Sequence, residues 1–523
     1  MTKLDRRTFL KLMGQGTAAV GMGMGLSGRA RAAQAGPTEA AKAADPKDPN
    51  WSDWEYYTPN VYDTEDTQIL KKFQAELALI NNRGDVNISD LVSGKIEGKP
   101  GISKGTKITS ENITTYARRY GANNPFWSDI SYAKKTKLGA IAMPFAAAEP
   151  GYMPAMPKAE GIGDYMVVSA HNDTINYYKP VYEGDTIYKV LDKQNCIDIT
   201  SVQGSYYRTF AMSGWARHFN QKGELVAEGA NILKESFRRH KDPAKRNPSK
   251  AHAWESPDWW SRKAHVYTDK DWEEIISIWK NEKIRGAEPL YWDDVKIGDE
   301  PPARAVGPIL NEEQIDMMFD IPDWSLNAKQ NILDPKTFAK MKKNKQGIWV
   351  LPEYLEKKPA QQRQFSGAGQ DAPVTQTPEL ANRDGRGVIQ NAVAAKWAAG
   401  MIMNWMGDAG WMQRIGWDIM EVPPGTSKSI DFDKDPTVIP PIPMNLRPVL
   451  FDKYPYMDKV PYMRGCRAAW HAMEGDMVIC RAFVTDKYSQ ANDYFVDLTF
   501  WCETLDRYLV EEGFVTVKLP KKA

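Results

Sequence analysis

Histidine and cysteine are scarce in this 523-residue chain, which holds six of the first and four of the second. Cys196, Cys466, Cys480 and Cys502 show no CxxC spacing and no His-rich company, so neither a metal site nor a cofactor is expected. A surplus of positive charge is missing as well. The chain carries 68 Lys and Arg against 67 Asp and Glu, and its first 35 residues hold six of the basic residues and one acid. Beyond them 62 basic residues stand against 66 acids, a balance that provides no basic face for nucleic acid. Long apolar runs are absent too. No later stretch approaches 18 uncharged apolar residues, so the mature chain is expected to be soluble.

The length points to two large domains or one duplicated fold, and 42% apolar with 11% aromatic residues suffices to bury such cores. At the N-terminus, Arg6 and Arg7 precede Thr8, Phe9, Leu10 and Lys11. A Gly- and Ala-rich run from Leu12 to Leu26 follows, then small-residue cleavage options at Ala30-Arg31-Ala32 or Ala33-Gln34-Ala35. Residues 1–35 resemble a twin-arginine export signal. That resemblance implies a periplasmic protein, the export machinery as a partner, and a fold acquired before export that need not depend on disulfides. Cys480 and Cys502 fall in strand-like runs, where buried free thiols are the default; a bridge between them stays open.

After a Pro-, Ala- and charge-rich linker at 36–60, an internal repeat appears. LVAEGANILK from Leu225 lies over LVEEGFVTVK from Leu509 without a gap, VYEGDT from Val181 over AMEGDM from Ala472, and KITSENITTYARRYG from Lys107 over PILNEEQIDMMFDIP from Pro308. Thr109 or Ser110, and Asn311, are helix N-cap candidates. The Glu-Gly-Asp turns at 183–185 and 474–476 are expected to join β-prone segments as hairpins, and each copy ends in alternating strands. One helix followed by an antiparallel meander, twice over, predicts an α+β fold whose sheets wrap helices. From Ser110 to Asp185 is 75 residues and from Asn311 to Asp476 is 165, so about ninety more sit in the second copy. Long irregular inserts of that kind serve as lids or mouths. The charged, Trp-rich stretch at 241–290 is expected to supply a connecting helix and strap.

In their order, the phrases TSENITTYARRYG, ANNPFWSDISYA, TKLGAIAMP, YYKPVYEGDTIY, ELVAEGANILK, YWDDVKIGDEPP, GRGVIQNAVAAKWAAGMIMNWMGDAGW and VTVKLP carry a likeness to a known family. The chain resembles MaoC-like dehydratases in their tandem, double-hotdog form, the N-terminal half resembling the fatty-acid-synthase type. The resemblance implies hotdog domains at 61–240 and 288–523 joined by 241–287. It also implies addition or removal of water at a double bond conjugated to a carbonyl. That chemistry needs an Asp and a His for general acid/base work, with backbone N–H groups at a helix start to polarise the carbonyl.

The family pattern Gly-Asp-x-Asn-Pro-x-His-x-Asp, laid on residues 121–129, puts its Asp on Ala122 and its His on Trp127, neither of which exchanges a proton near neutral pH. Asn124-Pro125 is expected to shape the turn, Asp129 to cap the next helix, and Phe126 and Trp127 to line an apolar tunnel. The second copy offers Asp320, Asp323 and His471 as substitute catalytic groups, and Asp408 just past a predicted helix from about Val388 to Trp405. Gly387, Gln390 and Asn391 at its start are candidate holders of the substrate carbonyl. His171 reads as a structural histidine, and His218, His240, His252 and His265 as solvent-facing.

Two functions remain in view. The first is an exported hydratase or dehydratase. Coenzyme A and carrier-protein thioesters are cytoplasmic, so export favours a free apolar enone, alkenol, aldehyde, or isoprenoid- or steroid-like substrate, which the Trp- and Met-rich composition suits. The alternative is a catalytically inactive binding protein or accessory subunit co-exported with a redox enzyme. Monomer, homodimer and co-exported partner all stay open.

Overall fold

The computed structural model describes residues 64–119, 124–142, 165–198, 208–238, 253–254, 264–308, 328–352, 388–389, 391–418, 467–468, 472–473, 475–506 and 508–522. The export signal, the linker, Ala122, Asp320, Asp323, Gly387, Gln390 and His471 lie outside the described residues.

The helices are α1 (Thr64–Asn81), α2 (Ile88–Val92), α3 (Ser110–Arg119), α4 (Ile130–Ala133), α5 (Asp269–Asn281), α6 (Ala328–Leu333), α7 (Pro335–Phe338) and α8 (Asn391–Met406). The strands of the first half are β1 (Thr106–Lys107), β2 (Tyr165–Tyr177), β3 (Thr186–Asp198), β4 (Arg208–Phe219), β5 (Leu225–Arg238) and β6 (Ala253–Trp254). Those of the second are β7 (Arg304–Val306), β8 (Lys342–Lys343), β9 (Trp349–Val350), β10 (Val388–Ile389), β11 (Trp411–Asp418), β12 (Arg467–Ala468), β13 (Ala472–Met473), β14 (Val478–Gln490), β15 (Asp493–Thr504) and β16 (Tyr508–Lys518).

Among the described residues one sheet runs β1-β3-β4-β5-β2-β11-β16-β15-β14-β7. Its two halves repeat one connectivity. The first long strand (β2 or β11) lies beside the last (β5 or β16), the last beside the third (β4 or β15), and the third beside the second (β3 or β14), every pair antiparallel. The first strands then pair with each other, Arg414 opposite Asn176 and Asp418 opposite Asn172, so two sheets become one. The fold is α+β with a duplicated antiparallel sheet, as the tandem repeat predicts.

Alternation decides which face carries the core. On β15, Val496, Leu498, Phe500 and Cys502 are buried on one side, and successive strand residues point to opposite faces. Helix α8 packs against β16, β14, β15, β11 and β7. It is apolar around most of its circumference, with Ala394, Ala395, Trp397, Ala398, Ala399, Met401, Ile402 and Met403 all buried. A helix enclosed on several sides reads that way, and its alanines let strands approach closely.

Four expectations need correction. The helix starts at Asn391, not Val388, because Val388 and Ile389 pair as a short strand with Met473 and Ala472. The Glu-Gly-Asp turns do not close hairpins. Gly184 and Gly475 take φ +89° and +88° and lead into β3 and β14, which among the described residues do not pair with β2 and β13, the strands immediately before them. His218 is fully buried, between Lys189 on β3 and Ala227 on β5, because β4 is an interior strand.

The α3 cap and the connecting strap agree with the structure. Thr109 Oγ1 accepts from Asn112 N at 3.1 Å and so caps α3. The strap at 241–290 contains α5, opened by a capping box of Thr268 and Asp271. Its Trp272 and Trp279 form a satellite core with Tyr267, Met341, Ile348 and Val350. Trp279 Nε1 donates to Ala305 O on β7, at one end of the sheet order. His265 is not simply solvent-facing: its ring lies 2.9 Å from Asp506 and 3.3 Å from Asp271.

Candidate active site

Three distant segments meet at the C-terminal end of α8. The first is the loop that begins at Asn124. Asn124 Oδ1 accepts from Phe126 N at 3.0 Å, Pro125 pre-sets the next φ, and a 3-10 turn over Pro125–Trp127 results. Asp129 then caps α4, accepting from Ser131 N at 2.8 Å and Tyr132 N at 3.1 Å. The Ser131 hydroxyl bond, with the backbone bonds, holds the Asp129 carboxyl below the usual carboxylate range. The expected turn at Asn124-Pro125 and the expected Asp129 cap both form, and together they orient Tyr132 in the first turn of α4.

The second segment is the end of α8 itself. Gly407, at φ +69°, bends the chain out of the helix, as a residue after a helix end commonly does. Asp408 N donates to Gly286 O at 3.0 Å. A Cβ at Gly407 would lie 3.0 Å from that same carbonyl, so glycine suits both the conformation and the close approach. The third segment is the connector. Arg285 N donates to Asn404 O at 3.0 Å and its Nε to Trp405 O at 2.8 Å, satisfying last-turn carbonyls that the helix leaves without partners and placing a cation at its negative end.

Asp408 lies where these segments converge. Asn124 Nδ2 donates to Asp408 Oδ1 at 2.5 Å and Tyr132 OH donates to Asp408 Oδ2 at 2.8 Å. Two side chains of the first half thus hold one carboxylate of the second. Burial, then Asp408 itself, raises the Tyr132 phenol above its ordinary value, so it remains a donor. Beside the carboxylate is a small cleft, walled by Phe126, Trp127, Leu138, Met403, Met406 and Trp411, with Asn124 also in the wall. Phe126 and Trp127 meet edge to face, 4.4 Å between ring centroids.

Of the sequence-derived candidates, the structure brings together Asp408, Phe126 and Trp127. It does not bring Asn391 to them. Asn391 opens the 16-residue α8 and Asp408 follows its end, a separation along the axis of about 24 Å. A conjugated carbonyl and double bond span only a few ångströms, so Asn391 and Asp408 cannot serve the same reacting atoms. Asp320, Asp323, His471, Gly387 and Gln390 lie outside the described residues. Asn124 and Tyr132 were missed as partners of Asp408. The available signal was the Asn-Pro pair, which the family pattern keeps here although its Asp and His positions are replaced. Among the described residues no group of three or more His, Cys, Asp or Glu could hold a metal ion. No described helix is long and apolar enough to cross a membrane.

No family model matches the chain, and no curated protein matches it. Solved structures do. A MaoC domain protein dehydratase from Chloroflexus aurantiacus is similar at 11% identity and a TM-score of 0.40, over 80% of this chain and 94% of the other. A double-hotdog protein from Mycobacterium tuberculosis is similar at 8% and 0.36, over 80% and 93%. A MaoC-like dehydratase from Phytophthora capsici is similar at 8% and 0.34, over 84% of this chain and the whole of that one. Likeness this distant bears on neither substrate nor catalytic residues; the description of the fold rests on the duplicated strand order and the position of α8.

Proposed function

We propose that the chain is an exported hydratase or dehydratase of the MaoC-like kind, adding or removing water at a double bond of an apolar enone, enoyl, or isoprenoid- or steroid-like substrate. The observation that carries this reading is the Asp408 carboxylate held in the wall of an apolar cleft by Asn124 and Tyr132. In hydration, Asp408 takes a proton from water as the oxygen attacks the β-carbon, and the same proton is returned to the α-carbon. The Asn124 amide has a second hydrogen not used on Asp408, and it donates to the carbonyl oxygen as negative charge develops there. Tyr132 keeps the carboxylate oriented. The aromatic and methionine walls suit a ligand without phosphates.

The test is loss of enone absorbance on incubation with purified protein. Asp408→Asn is expected to lower kcat by about 10² to 10⁴ while ligand binding persists. An equal rate in that variant rules Asp408 out. One observation favours the alternative of a binding protein: Trp127 fills the place of the family's histidine and is buried in the cleft wall. Small molecules that co-purify, identified by mass spectrometry, separate the readings. A bound apolar ligand recovered unchanged after long incubation supports binding alone, and a coenzyme A thioester removes the substrate class inferred from export.

A further inference from the structure

Cys480 and Cys502 are direct cross-strand partners in the β14–β15 ladder. Both are completely buried on the face turned toward α8, and their Sγ atoms are 3.5 Å apart. The Cys502 thiol also reaches Ala394 O, in the first turns of α8, at 3.4 Å. Cys196 lies on β3, toward the far end of the sheet order, so it offers no competing partner.

We propose that Cys480 and Cys502 are a redox-sensitive pair that closes into a cross-strand disulfide when the protein meets a disulfide oxidant. Directly opposed antiparallel residues have Cα atoms about 4.5 to 5.5 Å apart, inside the window of about 4.4 to 6.8 Å that a disulfide accepts. Bond formation therefore needs no change of register. It needs the two sulfurs to approach by about 1.5 Å from their present separation, to a bond of about 2.05 Å. In the reaction one cysteine thiolate attacks the oxidant's S–S bond, forming a mixed disulfide and expelling one thiol. The second cysteine, deprotonated in turn, displaces the other thiol. The two cysteines lose two protons and two electrons, and the oxidant becomes two thiols.

Burial determines the rate rather than the outcome. It pushes the Cys502 thiol up, with Cys480 adding to the effect, so the closed native sheet presents little thiolate. The local structure suggests where access begins. On its other side β14 is paired by β7 over Val478, Ile479 and Cys480 and, further along, by Gly298 and Asp299 at Val484, so release of three β7 residues uncovers the backbone beside Cys480. The product would tie together two strands that α8 packs against and withdraw the S–H donor from Ala394 O. The inference is independent of the proposed catalytic reading.

The experiment uses the full chain, first reduced, then held with oxidised glutathione across a series of sub-denaturing urea concentrations. After acid quenching, denaturation and alkylation, the peptides containing residues 480 and 502 should be recovered linked and two hydrogens lighter than their sum. Coupling should speed up with urea, and Cys196 and Cys466 should remain alkylated. Oxidation should raise the thermal midpoint of the unsubstituted protein and leave that of Cys480→Ser or Cys502→Ala unchanged. Full alkylation of both cysteines at every urea concentration up to unfolding overturns the proposal, as does linkage of either one to Cys196 or Cys466. Because the peptide readout follows the bond itself, a poorly folding variant does not leave the question open.

Discussion

Asp408 accepts hydrogen bonds from two side chains that belong to the other half of the chain, so its neighbours carry consequences for stability as well as chemistry. Asn124 is 2% exposed and both caps its own turn and donates to the carboxylate. Asn124→Ala should cost about 3 kcal/mol, since hydrogen bonds to charged groups and N-caps each contribute on that scale; urea unfolding measures it. Tyr132→Phe removes one bond to the carboxylate and should cost about 1.5 kcal/mol, and, with Asp408 as the proposed base, it should perturb kcat more than KM because it disturbs that carboxylate and not the apolar walls. His218 sets a pH dependence. Burial, reinforced by Lys189, lowers it from 6.5 to about 3. Below pH 6.5 the unfolded chain therefore binds a proton that the folded chain refuses. That contribution weakens the fold as pH drops from about 6.5 toward about 3, by about 1.4 kcal/mol per unit. Thermal midpoints of the unsubstituted protein and His218→Gln, compared over this range, should show a shallower slope in the variant; parallel slopes would contradict the assignment.

At the scale of elements, the β11–β16 ladder shows how closely two strands and their rings are fitted. Gly416 and Gly513 both make room for aromatic rings, but on different terms. A Cβ at Gly513 would stand 2.2 Å from the Gly416 carbonyl oxygen and 2.5 Å from the Phe500 ring, which is fully buried. At Gly416 the nearest atom would be Cζ of Phe514 at 2.4 Å, and that ring is 39% exposed. Backbone and core cannot yield, whereas an exposed ring can turn aside. Gly513→Ala should thus cost about 3 kcal/mol and Gly416→Ala about 1 kcal/mol, with denaturant midpoints to compare them. Elsewhere, Asn81 meets the backbone of β3 next to its bulge, donating to Gln194 O and accepting from Gln194 N, both at 2.7 Å. Together with Gln74, whose Nε2 donates to Cys196 O at 3.1 Å, it docks α1 on the sheet.

At the scale of the whole molecule, the β2–β11 seam joins two sheets of one topology, and the cleft at Asp408 takes its walls from both halves. The proposed export has its own test: Arg6→Lys with Arg7→Lys should retain the protein in the cytoplasmic fraction, and an unchanged periplasmic share would remove the export reading. Much of this architecture was legible in the chain. Period-two alternation and capping residues act over a few neighbours, so the duplicated meander, the Asn124-Pro125 turn, the Asp129 cap and the apolar central helix could be read without coordinates. Burial of His218 could not, because it depends on which strand lies inside the sheet. Nor could the partners of Asp408, which are 284 and 276 residues away, a separation no local pattern encodes. The sequence by itself determined a tandem α+β chain without the Asp and His pair of the family it resembles. Only the tertiary structure decided that Asp408 meets Asn124 and Tyr132 at one end of α8 while Asn391 stands at the other, because a rigid helix keeps its ends apart while a joined sheet brings remote loops together.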